Sequence, residues 1–197
     1  TISIWYAKGT KLEKRWSQTY PNSLGLWYSA MTQRLGLKPQ EDEYILMGMS
    51  AWGRESKELQ DELRQLLKQN LHRGCMDWDS DFHPDEGTSE WKFDVAHNVQ
   101  IICEEEIQKI FSKLPDLVPE TTNVCYSGGV ALNCVANSLV VKDYPNMWIL
   151  PNPGDAGSSL GCAAYVCGEH LDFNSAVLGY NIKGKYPVKK VLNELLK

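Results

Sequence analysis

A short apolar run that breaks into two adjacent glycines, within residues 123–141, constrains this chain more than any other stretch. The segment is NVCYSGGVALNCVANSLVV. It predicts a strand near residues 122–126, a bend at Ser127, Gly128 and Gly129, and an alanine-rich helix. Glycine accepts positive φ and lets a ligand approach the backbone, and the first turn of a helix presents unpaired N–H groups to an anion. The bend is therefore either a plain strand-to-helix turn or a nucleotide-binding loop, in which the Asn133 amide hydrogen-bonds the ligand.

The same order of elements recurs in residues 150–165, LPNPGDAGSSLGCAAY. A predicted strand is followed by a loop of Pro and Gly and then by a helix rich in small residues. Asp155 lies between Gly154 and Gly157. It is either an ordinary helix N-cap or a carboxylate in an open position that holds a divalent cation beside phosphates. Both interpretations remain open on these residues alone.

An acidic residue opens a third unusual stretch, EDEYILMGMSAWG at residues 41–53. Glu43 precedes an apolar run that ends at Gly48. A carboxylate in this position is suited to accept hydrogen bonds from the hydroxyl groups of a ribose. The alternative is a solvated acidic loop in front of a buried segment.

The hydrophobic pattern places these stretches in an α/β chain, because predicted strands are followed by helices. Two strands are predicted within residues 1–22, followed by a helix that Ser23 caps and that runs to Leu35. Further helices are predicted over residues 55–73, 94–114, 130–142 and 156–170, with strands at 122–126 and 147–150. We expect one lobe over residues 1–178, with a linker and the start of a C-terminal region in residues 179–197.

Composition excludes several classes of function. The chain of 197 residues has a formal net charge of -5 and a pI near 5.4, which argues against a general nucleic-acid binder. It has no apolar run near the roughly 20 residues that cross a bilayer, and its first residues lack the layout of a signal peptide. It also lacks an initial Met, which is typical of a fragment or a processed product. We therefore expect a cytoplasmic location and no membrane partner.

The cysteines predict free thiols rather than a metal site or disulfides. There are six, and none forms a CxxC pair. Five lie in apolar or alanine-rich segments, which predicts burial in a reducing compartment: Cys103, Cys125, Cys134, Cys162 and Cys167. The spacing does not suit a zinc site, and the histidines are scattered.

Four stretches together resemble the carbamoyltransferase family of nodulation-factor and antibiotic biosynthesis. They are SLGLWYSAMTQRLGL, EDEYILMGMSAWG, SGGVALNCVANS and NPGDAGSSLGCAAY. Their order and spacing resemble the family's SLGxxYxxxTxxLGF, EYKxMGLAPYG, GGVALNxxxN and PGDAGxALGAA, and the resemblance spans nearly the whole chain. It implies a lobe of the actin-like ATPase (ribonuclease H-like) fold, an α/β class with a mixed sheet flanked by helices. In that family, residues 1–178 would be the second half of the actin-like domain.

The resemblance also implies a chemistry. The family transfers a carbamoyl group from carbamoyl phosphate, through an ATP-dependent carbamoyl-adenylate, to a hydroxyl of a sugar-like small molecule. Matching positions would place a divalent metal, iron-type or Mg, on Asp155. They would place the ribose near Glu43 and the rest of the nucleotide on the two bends: Ser127, Gly128, Gly129, Asn133 and Gly154. The family's His-x-x-x-His metal motif and first phosphate loop belong to a preceding half, so we expect no turnover by this chain alone.

Two departures from the family pattern leave alternatives open. Ile45 stands where the family usually has Lys, and an aliphatic side chain cannot supply a cationic contact. MSAWG replaces LAPYG but keeps an aromatic residue at Trp52. One alternative is a catalytically inactive nucleotide-binding or assembly module. Another is the related branch that makes threonylcarbamoyl-adenosine in tRNA, which the acidic charge disfavours. The apolar surface of a half-domain also favours self-association.

Overall fold

A computed structural model describes residues 1–68 and 87–168 of the chain. They begin with a hairpin in which β1 (Ile2–Lys8) pairs antiparallel with β2 (Lys11–Gln18) across a tight turn at Gly9, where φ is +60°. Both strands were expected from the alternating pattern of residues 1–22. β2 is eight residues long.

Helices supply most of the remaining described structure. They are α1 (Leu24–Arg34), α2 (Glu43–Met49), α3 (Lys57–Lys68), α4 (Ser89–Phe111), α5 (Leu114–Leu117), α6 (Cys134–Val140) and α7 (Ser158–Cys167). Three short 3-10 turns adjoin them, at Ser50–Trp52 after α2, Gly129–Leu132 before α6 and Asp155–Gly157 before α7. The parts of the predicted helices beyond residue 68 and beyond residue 168, and the predicted C-terminal region, lie outside the described residues.

The start of α1 confirms the predicted cap. The Ser23 side chain accepts a hydrogen bond from the backbone N–H of Leu26 at 3.4 Å, which satisfies one of the donors that a helix start leaves free. The apolar residues that recur at helical spacing from α1 to its C-cap are all buried: Leu24, Trp27, Tyr28, Met31 and Leu35.

The long helix α4 is the centre of the core. Its Trp91, Val95, Val99 and Ile102 are at most 1% exposed, and α1, α2, α3 and α6 contribute buried side chains to the same cluster. Each large apolar side chain buried in this way contributes about 1.5–3 kcal/mol.

The ends of α4 differ from the predicted range of 94–114. The helix begins five residues earlier, because the Thr88 side chain caps it by accepting from Trp91 N–H at 3.2 Å. It ends at Phe111. Pro115 has no N–H to donate to the Phe111 carbonyl, so the helical ladder cannot continue there.

A β–α–β unit follows. β3 (Val124–Tyr126) pairs with β4 (Met147–Ile149) in parallel, and α6 is the crossover helix. The rings of Tyr126 and Phe111 pack edge-to-face with centroids 5.2 Å apart, which joins this unit to the end of α4. The α/β class is therefore confirmed. Within the described ranges, however, the strands form two separate two-stranded sheets rather than one mixed sheet.

The prediction of five buried thiols is correct only for Cys103. The structure leaves the other four exposed: Cys125, Cys134, Cys162 and Cys167. Cys125 alternates with the half-buried Val124 and Tyr126 and so lies on the opposite face of β3. Helix α7, which carries two of the others, has no buried residue. None of the described helices is long and apolar enough to cross a membrane.

Candidate functional site

The two glycine-bearing bends are neighbours in space. They follow β3 and β4, and the carboxyl ends of adjacent parallel strands lie at the same edge of a sheet. The Gly128 N–H donates to the carbonyl oxygen of Pro153 at 2.7 Å, and the Ser127 hydroxyl donates to the same oxygen at 3.2 Å. Two stretches separated by about 25 residues of sequence therefore form one continuous backbone surface.

The first bend has the open backbone that its glycines suggest. Gly128 has φ of 106° and ψ of 165°, a conformation that side-chain-bearing residues rarely adopt. Gly128 and Gly129 are exposed, and a Cβ at either position would meet no atom within 4 Å. The chain then makes the 3-10 turn Gly129–Leu132, so α6 begins at Cys134 rather than at the predicted residue 130.

Asn133 separates that turn from α6 and is buried, with 8% exposure. Its Oδ1 accepts from the backbone N–H of Ala136 at 3.0 Å, which caps α6. Its amide also pairs reciprocally with the amide of Gln100 on α4. Gln100 Nε2 donates to Asn133 Oδ1 at 3.1 Å, and Asn133 Nδ2 donates to Gln100 Oε1 at 3.0 Å. Both polar atoms of the side chain thus bond the protein itself, and a direct bond to a nucleotide stays a prediction.

The second bend presents an exposed carboxylate. Gly154 is the residue before the 3-10 turn Asp155–Gly157, and Gly157 is the residue before α7. Neither cap involves a side-chain hydrogen bond. The N-cap interpretation of Asp155 is therefore wrong. Within residues 1–68 and 87–168, the Asp155 carboxylate forms no hydrogen bond or ion pair, and it remains open to a ligand.

The described residues do not complete a metal site around Asp155. Across residues 1–68 and 87–168, no group of three or more His, Cys, Asp or Glu side chains is placed to hold a metal ion. His97 lies on α4, where its Nδ1 is 2.7 Å from the Ser50 carbonyl oxygen. The other histidines, His72, His83 and His170, lie outside the described residues. Asp155 can thus supply a carboxylate ligand but not a full coordination sphere.

Glu43 lies in the first turn of α2 and is half-buried, so it does not belong to a solvated loop. Its Oε1 accepts from the Ser29 hydroxyl and from the Gln40 N–H, the latter at 2.6 Å. In the described part of the chain it hydrogen-bonds neither bend. Its charge does act on Tyr28, whose pKa is raised by burial first and then by Cys103, Glu43 and Glu104. The proposed ribose contact stays a prediction.

Helix α4 also carries buried polar side chains that were not predicted from the sequence. Asp94 accepts from the Arg54 backbone N–H at 2.7 Å and pairs with the guanidinium of the same residue at 2.8 Å, which raises the pKa of Arg54. Asn98 donates to the Arg54 carbonyl at 2.9 Å. With His97, which contacts Ser50, these side chains fix the segment after α2. The sequence does contain a signal for this set, because Asp94, His97 and Asn98 are polar residues within the inward-facing part of an otherwise apolar helix.

Comparisons with known proteins give the family to which the chain is similar. A family model described as carbamoyltransferase N-terminus matches residues 1–164 of the chain. An uncharacterized protein of Synechocystis sp. is 32% identical over 198 aligned residues, which cover 87% of this chain and 31% of that protein. An uncharacterized protein of Methanocaldococcus jannaschii is 27% identical over 185 residues, which cover 88% of this chain and 36% of that protein. The chain spans about a third of the length of these curated relatives.

Proposed function

Because this chain belongs to the carbamoyltransferase N-terminus family, we propose that it is one lobe of an O-carbamoyltransferase. Its fold would be the actin-like ATPase class, whose lobes are built on β–α–β units like that of β3, α6 and β4. Its substrates would be a carbamoyl-adenylate, made from ATP and carbamoyl phosphate, and a hydroxyl group of a sugar-like small molecule.

The observation that carries the proposal is the hydrogen bond from Gly128 N–H to the Pro153 carbonyl at 2.7 Å. It supports a shared site, because it joins two bends that separately have the features of a phosphate-binding backbone. On one side are Gly128 and Gly129, with open space where side chains would be. On the other are Gly154, also with open space, and the exposed Asp155.

The transfer step proposed for this site is a substitution at the carbamoyl carbon. The acceptor hydroxyl oxygen forms a new C–O bond to that carbon and loses its proton to solvent or to a base. The C–O bond to the adenylate phosphate breaks, and AMP leaves with the electron pair. Backbone N–H groups at a glycine-rich bend are suited to hold the phosphate and to stabilise the charge that develops on it.

A divalent metal would add Lewis-acid polarisation of a phosphate or carbonyl oxygen when bound. The described residues supply Asp155, but no group of three or more His, Cys, Asp or Glu side chains among them is placed to hold the ion. Asp155 would be one ligand of such a metal, and the remaining ligands would come from outside the described residues.

Ile45 favours one alternative, a catalytically inactive nucleotide-binding or assembly module. It is half-buried on α2, and it replaces a Lys whose cation would contact a nucleotide in the resembled family. The alternative predicts no carbamoyl transfer, whether or not nucleotide binding is retained, and so product formation distinguishes it from the leading proposal.

A binding experiment tests the site directly. Gly129→Val would add a side chain at an exposed bend, where its Cβ would meet no atom within 4 Å, so we expect the fold to persist while a non-hydrolysable ATP analogue is excluded. Calorimetry on the complete protein should show at least a tenfold loss of affinity. Gly48→Ala, at another exposed glycine with open space, is the matched control. Unchanged affinity in Gly129→Val would remove the first bend from the nucleotide site.

Turnover is tested on the complete protein with carbon-labelled carbamoyl phosphate, ATP and a panel of aminoglycosides and sugars. The enzyme proposal predicts label in an acceptor and an equal amount of AMP. Tight binding of the ATP analogue, with no AMP released under any of these conditions, would favour the inactive module.

A further inference from the structure

We propose that Asn133 serves the first bend by holding its backbone in place rather than by touching the nucleotide, and that Gln100 and Tyr28 are the positioning residues through which it does so. This inference rests on the proposed function only in assigning the bend to a nucleotide. The positional role itself concerns the conformation of residues 128–132.

The connection runs through three elements. The Tyr28 hydroxyl on α1 donates to Gln100 Oε1 at 2.9 Å. The Gln100 amide on α4 pairs reciprocally with Asn133 and also donates to Glu104 Oε1 at 2.7 Å. Asn133 caps α6 through Ala136. Each donor and acceptor of the Gln100 side chain therefore has a partner, which is the condition under which a buried polar network fixes one arrangement.

The side chains of this network are buried, and this makes the loss of any one hydrogen bond costly. Tyr28 is 6% exposed, Gln100 is 4% and Asn133 is 8%. Removing one partner would leave a buried polar group without a bond, which costs more than the bond itself contributes. An alternative placement of the Asn133 amide is thus disfavoured. Because its oxygen and nitrogen already bond Gln100 and Ala136, little hydrogen-bonding capacity is left for a ligand.

Within the bend, Gly128, Gly129 and Leu132 are exposed, whereas Val130 is half-buried and Ala131 is buried. Gly128 is held at one end by Pro153, and the Asn133 N–H donates to the Val130 carbonyl at 3.0 Å at the other. A second tether comes from Asn137, whose Nδ2 donates to the Ala131 carbonyl at 2.8 Å. Residues 128–132 are therefore held from Pro153 on one side and from Asn133 and Asn137 on the other, while Gly128 and Gly129 stay exposed.

The test compares local order with nucleotide affinity in the complete protein. Gln100→Leu removes both bonds to Asn133 and the bond from Tyr28, and Tyr28→Phe removes only the outermost bond. Ser138→Ala on the exposed side of α6 is the matched control. We expect Gln100→Leu to speed amide hydrogen exchange selectively within residues 128–132 and to weaken binding of the ATP analogue about tenfold. Tyr28→Phe should act in the same direction but less strongly, and it keeps the test valid if Gln100→Leu fails to fold.

Asn133→Asp helps to distinguish a role in holding the bend from direct contact with the nucleotide. Its carboxylate can still cap α6 but cannot donate a hydrogen bond to Gln100. If Asn133 acts by positioning the bend, Asn133→Asp should speed amide hydrogen exchange at residues 128–132. It should also weaken binding of the ATP analogue about as much as Gln100→Leu does. The proposal would be overturned if Asn133→Asp abolished binding while Gln100→Leu left both exchange and affinity unchanged. If the wild-type protein binds no ATP analogue, the proposed function fails, and hydrogen exchange alone decides the positional role.

Discussion

Replacement of Gly157 by alanine should break the second bend, and the structure allows the effect to be estimated. An added Cβ would lie 1.8 Å from the carbonyl oxygen of Asn152 and 3.1 Å from Leu150 Cδ2. Contacts under 3.0 Å are essentially never found for real Cβ atoms, so the two atoms would have to separate by 1.2 Å (3.0 minus 1.8). The obstructing oxygen belongs to the backbone and cannot rotate away. Overpacking of this kind lowers the free energy of unfolding by about 1–3 kcal/mol. We expect a value near the upper end of that range for Gly157→Ala.

The assay is urea unfolding together with hydrogen exchange at the Gly128 amide. That amide donates to Pro153, which lies inside the bend that the substitution distorts, so its protection should fall along with global stability. Gly161→Ala in α7 is the matched control, since a Cβ there meets nothing within 4 Å. Alanine in a helix is more favourable than glycine by up to about 1 kcal/mol, so the control should be neutral or slightly stabilising.

One outcome would refute the steric argument. If Gly157→Ala unfolds at the same urea concentration as the wild-type protein and keeps the Gly128 amide protected, then the bend accommodates a methyl group. The close approach of Gly157 to Asn152 would then not be a requirement of the fold.

Three further predictions follow from the same structure. Asp155→Ala should abolish carbamoyl transfer by the complete enzyme. Its melting temperature should stay unchanged, because the carboxylate is exposed and caps no helix. Asp116→Ala is the control, and near-normal turnover by the Asp155 variant would contradict the placement of Asp155 in the site. The isolated 197-residue chain should show neither carbamoyl transfer nor steady ATP consumption, and either activity in a pure sample would disprove this. Burial, followed by the charges of Glu104 and Glu106, raises the pKa of Cys103 from 9.0 to about 12. The unfolded chain therefore loses this proton first, and stability should fall as the pH rises from about 9 towards 12; urea titrations should show a shallower fall for Cys103→Ala, and equal slopes would contradict the effect.

Local sequence signals were enough to predict much of the fold and the position of the bends. Ser23 caps α1 because its hydroxyl satisfies a donor three residues ahead, and this depends only on neighbouring residues. The bends at Gly128 and Gly154 were predicted because each short apolar run is followed within a few residues by glycine. Their meeting follows from parallel pairing of the two strands, which the β–α–β order favours.

Tertiary contacts decided what the sequence alone could not predict. The start of α6 was placed too early because Asn133 takes φ of -75° and ψ of 86° to reach Gln100, a residue 33 positions away. The exposure of Cys162 and Cys167 was missed because an apolar helix was assumed to be covered. The role of Gly157 depends on a backbone oxygen five residues earlier, and no composition rule identifies such a contact.

The pairing of β3 with β4 also determines which changes in chain length this region should tolerate. Its register pairs Val124 with Met147 and Tyr126 with Ile149, and beyond the paired residues the Gly128 N–H donates to the Pro153 carbonyl oxygen. An inserted residue within β4 would slide the second bend by about 3.3 Å and turn its side chains to the other face. An insertion in the exposed connection at residues 141–143 would bulge into solvent at little cost. Homologous chains should therefore differ in length between α6 and β4, and not between β4 and Asp155.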